Sequence, residues 1–179
     1  MMGKIILLTG EIESGKTSFC LDVLKIARER RIQVAGLISP GIFEGGKKIA
    51  FDALDLKSST MRRLAELKEN QTLGLETKRW SFYSEVVLWG NQVLQDAVPC
   101  DLLMVDELGP LEFHQQAGWI NGFDVLESKA FQVALVVIRP SLIKEANQHW
   151  NIAQTIDLSA PGAALLSGSE LYEFLGLSF

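Results

Sequence analysis

Cysteine is scarce in this chain of 179 residues: only Cys20 and Cys100 occur. Neither has a C-x-x-C partner, which excludes a zinc ribbon, a thioredoxin-type site and a disulfide scaffold. Both thiols read as reduced and structural, in keeping with a cytoplasmic setting. Histidine is as rare, with His114 and His149 alone. They share no metal-ligand spacing with each other or with the cysteines, so surface or helix-end positions are expected. No apolar run approaches the roughly 18 residues of a membrane span, and the opening apolar stretch is too short for a signal peptide. Basic excess is missing too. Seventeen Lys and Arg against 22 Asp and Glu leave a net charge of −5, which disfavours nucleic acid and anionic membranes as partners. Repeats, low-complexity tracts and linkers are absent. At 47% hydrophobic and 22% charged residues, the chain has the make-up of a single domain over 1–179.

Against this background one segment stands out. Gly10-Glu11-Ile12-Glu13-Ser14-Gly15-Lys16-Thr17 fits G-x-x-x-x-G-K-[ST] at every fixed position. Its flanks supply the required context. Lys4–Thr9 is a short apolar stretch suited to a buried parallel strand, and Ser18–Ala27 is apolar at helical spacing. Between a strand and a helix, the backbone N–H groups of such a loop form an anion nest, and the helix N-terminus adds partial positive charge. Gly10 to Ser18 are therefore the candidate nucleotide-binding residues. Lys16 is placed to reach the β- and γ-phosphates, and the Thr17 hydroxyl to ligate Mg²⁺. Glu11, Ile12 and Glu13 bind through backbone, their side chains toward solvent.

The remaining pattern alternates strands with helices. Strands are expected at Gln33–Ser39, Asp101–Asp106, Val133–Ile138 and Ile152–Leu158, and helices at Gly15–Arg30, Ser81–Ala97, within Trp119–Lys129, at Pro140–Asn147 and at Ser169–Leu175. A Glu44-Gly45-Gly46-Lys47 turn predicts a β-hairpin within 42–56. Thr60–Leu67 reads as a short helix or a linker. Apolar strands separated by helices predict an α/β fold, a mainly parallel sheet covered on both faces. Right-handed crossovers put every strand's C-terminal end on one edge, which the glycine loop and the end of Asp101–Asp106 then share.

That second strand, L-L-M-V-D-E from Leu102 to Glu107, ends in two acids. Asp106 is the candidate to hold Mg²⁺ opposite Thr17. Glu107, one residue past the expected strand end, is the candidate to activate a water in line with the γ-phosphate. Asp106–Gly109 also fits D-x-x-G, but the guanine-reading N-K-x-D is absent, so selectivity for GTP has no basis. Arg139, directly after a core strand on the same edge, is the first candidate for a cation on the developing charge. Arg79 and the Arg62-Arg63 pair come second. Glu112 is either a supporting carboxylate or an exposed one. The four tryptophans suit core or edge packing.

Three segments carry a family resemblance: Thr9–Ser18, Gly36–Leu56 (G-L-I-S-P-G-I-F-E-G-G-K-K-I-A-F-D-A-L-D-L) and Met104–Glu112 (M-V-D-E-L-G-P-L-E). Through them the chain resembles the small nucleoside-triphosphatases of the cancer-related nucleoside-triphosphatase type, within the P-loop NTPase superfamily. The likeness implies a three-layer, RecA-like parallel sheet. It also implies Mg²⁺-dependent hydrolysis of ATP, GTP and other nucleoside triphosphates to the diphosphate and phosphate. Lys78-Arg79-Trp80 matches the family's basic–aromatic pair. Two other functions stay open. A small-molecule or nucleotide kinase would use Arg62-Arg63 and Lys78-Arg79 in a lid. A slow nucleotide-dependent switch would present an exposed Phe113–Trp119 segment to a protein partner. The preferred base and the oligomeric state stay undetermined, as does whether an arginine comes from a neighbouring subunit.

Overall fold

The computed structural model describes residues 3–68, 75–160 and Gly176. The expected helix at Ser169–Leu175 lies outside them. The strands are β1 (Lys4–Thr9), β2 (Val34–Ile38), β3 (Gly41–Glu44), β4 (Lys47–Asp55), β5 (Met61–Leu67), β6 (Trp80–Phe82), β7 (Cys100–Leu108), β8 (Phe131–Ile138) and β9 (Ile152–Asp157). The α-helices are α1 (Lys16–Glu29), α2 (Ser84–Gln95), α3 (Pro110–Gln115), α4 (Asn121–Ser128) and α5 (Ile143–His149). The nine strands form one sheet in the order β6-β5-β4-β2-β7-β8-β1-β9, with β3 on β4. From β2 to β9 every pairing is parallel, while β2–β4, β3–β4, β4–β5 and β5–β6 are antiparallel.

The continuous apolar runs of the central strands resolve into period-2 alternation between two covered faces. Ile6, Leu8, Leu102, Met104, Val133 and Leu135 pack on one face with Cys20, Val23, Leu24 and Ala27 of α1. Ile5, Leu7, Leu103, Val105, Ala134 and Val136 face the other way, toward Val86 and Leu94 of α2, Val125 and Leu126 of α4, and Trp150. Each of the Val, Leu, Ile and Met side chains among them stabilises the fold by about 1.5–3 kcal/mol when fully buried, so both faces of the sheet beneath the loops are held by burial. Gly36 lets β2 approach β7. Its φ is +107°, and a Cβ there would lie 2.0 Å from the Met104 carbonyl oxygen. On the opposite face Gly90 of α2 leaves room for the Trp119 ring, which a Cβ would meet at 2.2 Å.

Four expectations change. Thr60–Leu67 contains neither helix nor linker but β5, which buries Leu64 and Ala65 and pairs with β4 and β6. Its run M-R-R-L-A-E-L suits either period, and strand pairing decides. The helix expected to begin at Ser81 begins at Ser84, because Ser81 belongs to β6. The helix expected from Pro140 opens as a 3₁₀ turn over Pro140–Leu142 before α5. Finally, β7 continues through Leu108, so Glu107 lies within the strand and not past its end. The hairpin appears as expected, turning at Gly45-Gly46 with φ of +55° and +78°.

Candidate active site

The glycine loop leaves buried β1 and enters α1 at Gly15, the N-cap, whose φ of +89° suits glycine. Glu11, Ile12 and Glu13 face solvent, as expected of a loop that presents backbone inward. Lys16 folds back over it. Its Nζ donates to the carbonyl oxygens of Gly10 at 2.8 Å and Glu11 at 2.7 Å. From the other side, the Glu11 N–H donates to Ser159 Oγ at 2.8 Å, and Ser159 is itself held by Asp157 Oδ1 just past β9.

Two strands away, β7 brings its acids to the same edge. Thr17 Oγ1 donates to Asp106 Oδ2 at 3.1 Å. The Ser39 N–H donates to the same oxygen at 3.1 Å, and Ser39 Oγ donates to the Asp106 carbonyl at 3.0 Å. Asp106 is buried, and that burial pushes its pKa up to about 6 despite the hydrogen bonds from Ser39 and Thr17. Glu107 follows through a cis peptide bond and is partly open to solvent. Arg139 Nε donates to Glu107 Oε1 at 2.5 Å. The structure therefore gives Arg139 to Glu107, where the sequence suggested a guanidinium open to phosphate. The loop, Asp106, Glu107 and Arg139 are brought together, whereas Arg62 and Arg63 are not, and Arg79 donates to the Lys48 carbonyl on the hairpin at 3.4 Å. Arg62 stacks on Trp89 and Arg79 on Trp80, and Arg63 pairs with Asp52 and Glu66.

Glu112 is not an exposed carboxylate. It is buried, accepting from the Gly109 N–H at 2.7 Å and the Trp119 N–H at 2.9 Å. Burial raises its pKa to about 7. The Phe113–Trp119 segment expected to be exposed is held inward at both ends: Phe113 stacks edge-on against Phe123, and Trp119 is buried. His114 sits at a helix end and meets the Glu145 carboxylate at 2.9 Å. Both cysteines are free, and burial raises Cys20 well above the usual thiol range and Cys100 to about 11, which disfavours a thiolate nucleophile. Sequence reasoning missed Ser39 and Ser159. Each follows a core strand on the loop edge, and that position was the available signal.

A strand–glycine loop–helix unit facing an acidic pair from a non-adjacent parallel strand defines a P-loop nucleotide-binding protein. The NTPase family (NTPase_1) matches residues 5–154, and the chain belongs to it. Nucleoside-triphosphatase THEP1 of Caldivirga maquilingensis is 27% identical over 154 residues, covering 86% of this chain and 85% of that protein. THEP1 of Methanopyrus kandleri is 32% identical over 113 residues, or 63% of this chain and 61% of that one. The crystal structure of THEP1 from Aquifex aeolicus aligns with a TM-score of 0.69 at 15% identity, covering 96% of this chain and 98% of that chain. The solution structure of a human cancer-related nucleoside triphosphatase gives 0.67 at 16% identity, with 97% and 96% covered. The resemblance carried by the three sequence segments is thus met by family and by fold.

Proposed function

We propose that this chain hydrolyses nucleoside triphosphates in a Mg²⁺-dependent reaction, gripping the triphosphate with Gly10–Ser18 and activating water with Glu107. Hydrolysis follows from membership of the family. The residue roles are our own reading. One observation carries them: the Thr17–Asp106 hydrogen bond, which joins the loop to the acidic strand end at a single point.

The residues suit Mg²⁺. Among the described residues no three His, Cys, Asp or Glu side chains converge, but Thr17 and Asp106 offer hard oxygens. Mg²⁺ takes one or two protein oxygens together with water and substrate phosphates. Bound there, it would offset charge on the β- and γ-phosphate oxygens. The chain supplies everything else. Loop N–H groups and the start of α1 bind the polyphosphate. Lys16 exchanges the carbonyls of Gly10 and Glu11 for phosphate oxygens. Glu107 takes a proton from the attacking water, and Arg139 holds that carboxylate in place. Two free thiols favour a reducing, cytoplasmic compartment, and no helix among the described residues is long and apolar enough to cross a membrane.

The test is phosphate release from ATP, GTP, CTP and UTP, with and without Mg²⁺. Glu107→Gln should retain nucleotide binding and lose about a hundredfold or more in turnover, as for removal of a general base. Lys16→Ala should lose most triphosphate affinity. Undiminished turnover in Glu107→Gln would refute the assigned base.

A further inference from the structure

The β3–β4 hairpin stands where it can reach the site. β2 runs parallel to β7, so its C-terminal end lies on the loop edge, and there Ser39 bonds Asp106. The chain does not turn away at that point. It passes through Pro40, whose carbonyl accepts the Asp52 N–H at 3.0 Å, and becomes β3. β4 pairs first with β2 at Leu37 and Ile38, then with β3 from Gly41 to Glu44. The hairpin therefore prolongs β2 beyond the sheet edge that carries the loop and the acids, with β5 flanking β4 as far as Ala50 and only the tip, from Lys47-Lys48 to Phe43-Glu44, left two-stranded.

Lys48 on this tip points back toward the hairpin's base. Its stem passes Gly41, where a Cβ would meet Lys48 Cε at 2.7 Å and Cδ at 3.4 Å. Gly41 is two residues beyond Ser39, which touches Asp106. The ammonium rests 5.6 Å from the centre of the Phe43 ring, itself 57% exposed. Among the described residues no carboxylate pairs with it, whereas Arg63 and Arg139 both have carboxylate partners.

We infer that Lys48 is a further catalytic residue, the cation that engages the γ-phosphate from the hairpin side. The inference rests on the loop's binding a triphosphate and adds a charge that the loop does not supply. Contact with a half-exposed aromatic ring is weak, and a charge-assisted bond to a phosphate oxygen replaces it readily. Because the γ-phosphate is the group engaged, Lys48 distinguishes triphosphate from diphosphate. The loop amides hold what the two nucleotides share, and Lys16 spans the β- and γ-phosphates.

The experiment uses the full chain with Mg²⁺ and a fluorescent nucleotide pair, a non-hydrolysable triphosphate and the matching diphosphate, alongside steady-state phosphate release. Lys48→Met should lower kcat about tenfold or more and weaken triphosphate binding about tenfold, leaving diphosphate affinity within about twofold. Lys48→Arg should restore most of both. Lys47→Met, at the exposed first residue of β4 beside the turn, should change neither. Unchanged kcat with an unchanged triphosphate-to-diphosphate preference in Lys48→Met overturns the inference, as does equal loss of both nucleotides. Lys16→Met separates the two readings. If it loses both nucleotides while Lys48→Met behaves as wild type, only the role of Lys48 falls. If it binds both normally, the loop assignment fails, and the triphosphate preference of Lys48→Met still tests Lys48.

Discussion

Arg139 and Glu107 meet side by side at the ends of neighbouring strands: Arg139 Nε lies 2.5 Å from Glu107 Oε1. β7 and β8 run parallel, with Leu108 opposite Ile138 after a shift in register beyond Val105. Arg139 then lies one residue past the partner of Leu108, and its long side chain reaches back to the second acid of β7. The two side chains are 50% and 33% exposed, so the pair contributes at most about 1 kcal/mol to stability. Its importance is orientation, because Glu107 stands next to another carboxylate that would otherwise repel it. Arg139→Ala is expected to lower kcat about tenfold with little change in KM, and Arg139→Lys to recover part of it. Steady-state kinetics beside thermal melts checks this, since the melting temperature should barely move.

Glu112 makes stability depend on pH. In the fold its pKa is raised to about 7 from an ordinary 4.5. Between these values the unfolded chain has released the proton and the folded chain has kept it, so stability falls as pH rises through this window and then levels. The full span amounts to about 3 kcal/mol at most. Glu112→Gln removes this dependence. It also turns an amide N–H₂ toward either the Gly109 or the Trp119 N–H, at a cost of about 1–3 kcal/mol. Urea denaturation at pH 5 and pH 8 should show a larger deficit for the variant at pH 5. An equal deficit at both pH values would mean that Glu112 is ionised throughout.

Ser159 steadies the phosphate loop from a distant part of the chain, accepting the Glu11 N–H at 2.8 Å. Water can replace that acceptor at this exposed position, so Ser159→Ala should fold normally. The loop would be less ordered before binding, and triphosphate affinity should fall about threefold to tenfold, in line with about 1 kcal/mol for one hydrogen bond. Calorimetric titration with a non-hydrolysable triphosphate measures this, and kcat at saturation should stay near wild type.

Much of the parallel core was legible because β1, β7 and β8 are unbroken apolar runs next to turn residues, and α1 repeats its apolar positions at helical spacing. The hairpin was legible from Gly45-Gly46. β5 was not: adjacent arginines obscure its alternation, and its strand character comes from pairing with β4 and β6. Helix α3 was missed for a related reason. It is six residues long, and its start depends on Glu112 reaching the Gly109 N–H. In the site, the loop and the two acids could be named in advance, because local backbone chemistry demands those residue types. Ser39, Ser159 and the partner of Arg139 could not, because each depends on which strands are neighbours.

By itself the sequence determined that a glycine-rich phosphate-loop turn lies near the start of the chain and that two adjacent acids fall toward the C-terminal end of a buried strand. Glycine spacing and apolar periodicity are local and need only a few adjacent residues. The tertiary structure alone decided that β8 separates those two elements in the sheet, that Thr17 still reaches Asp106, that Arg139 serves Glu107 and that Lys48 is carried past the sheet edge. Strand order and register are set by the packing of the whole core, and no short stretch of the chain contains that information.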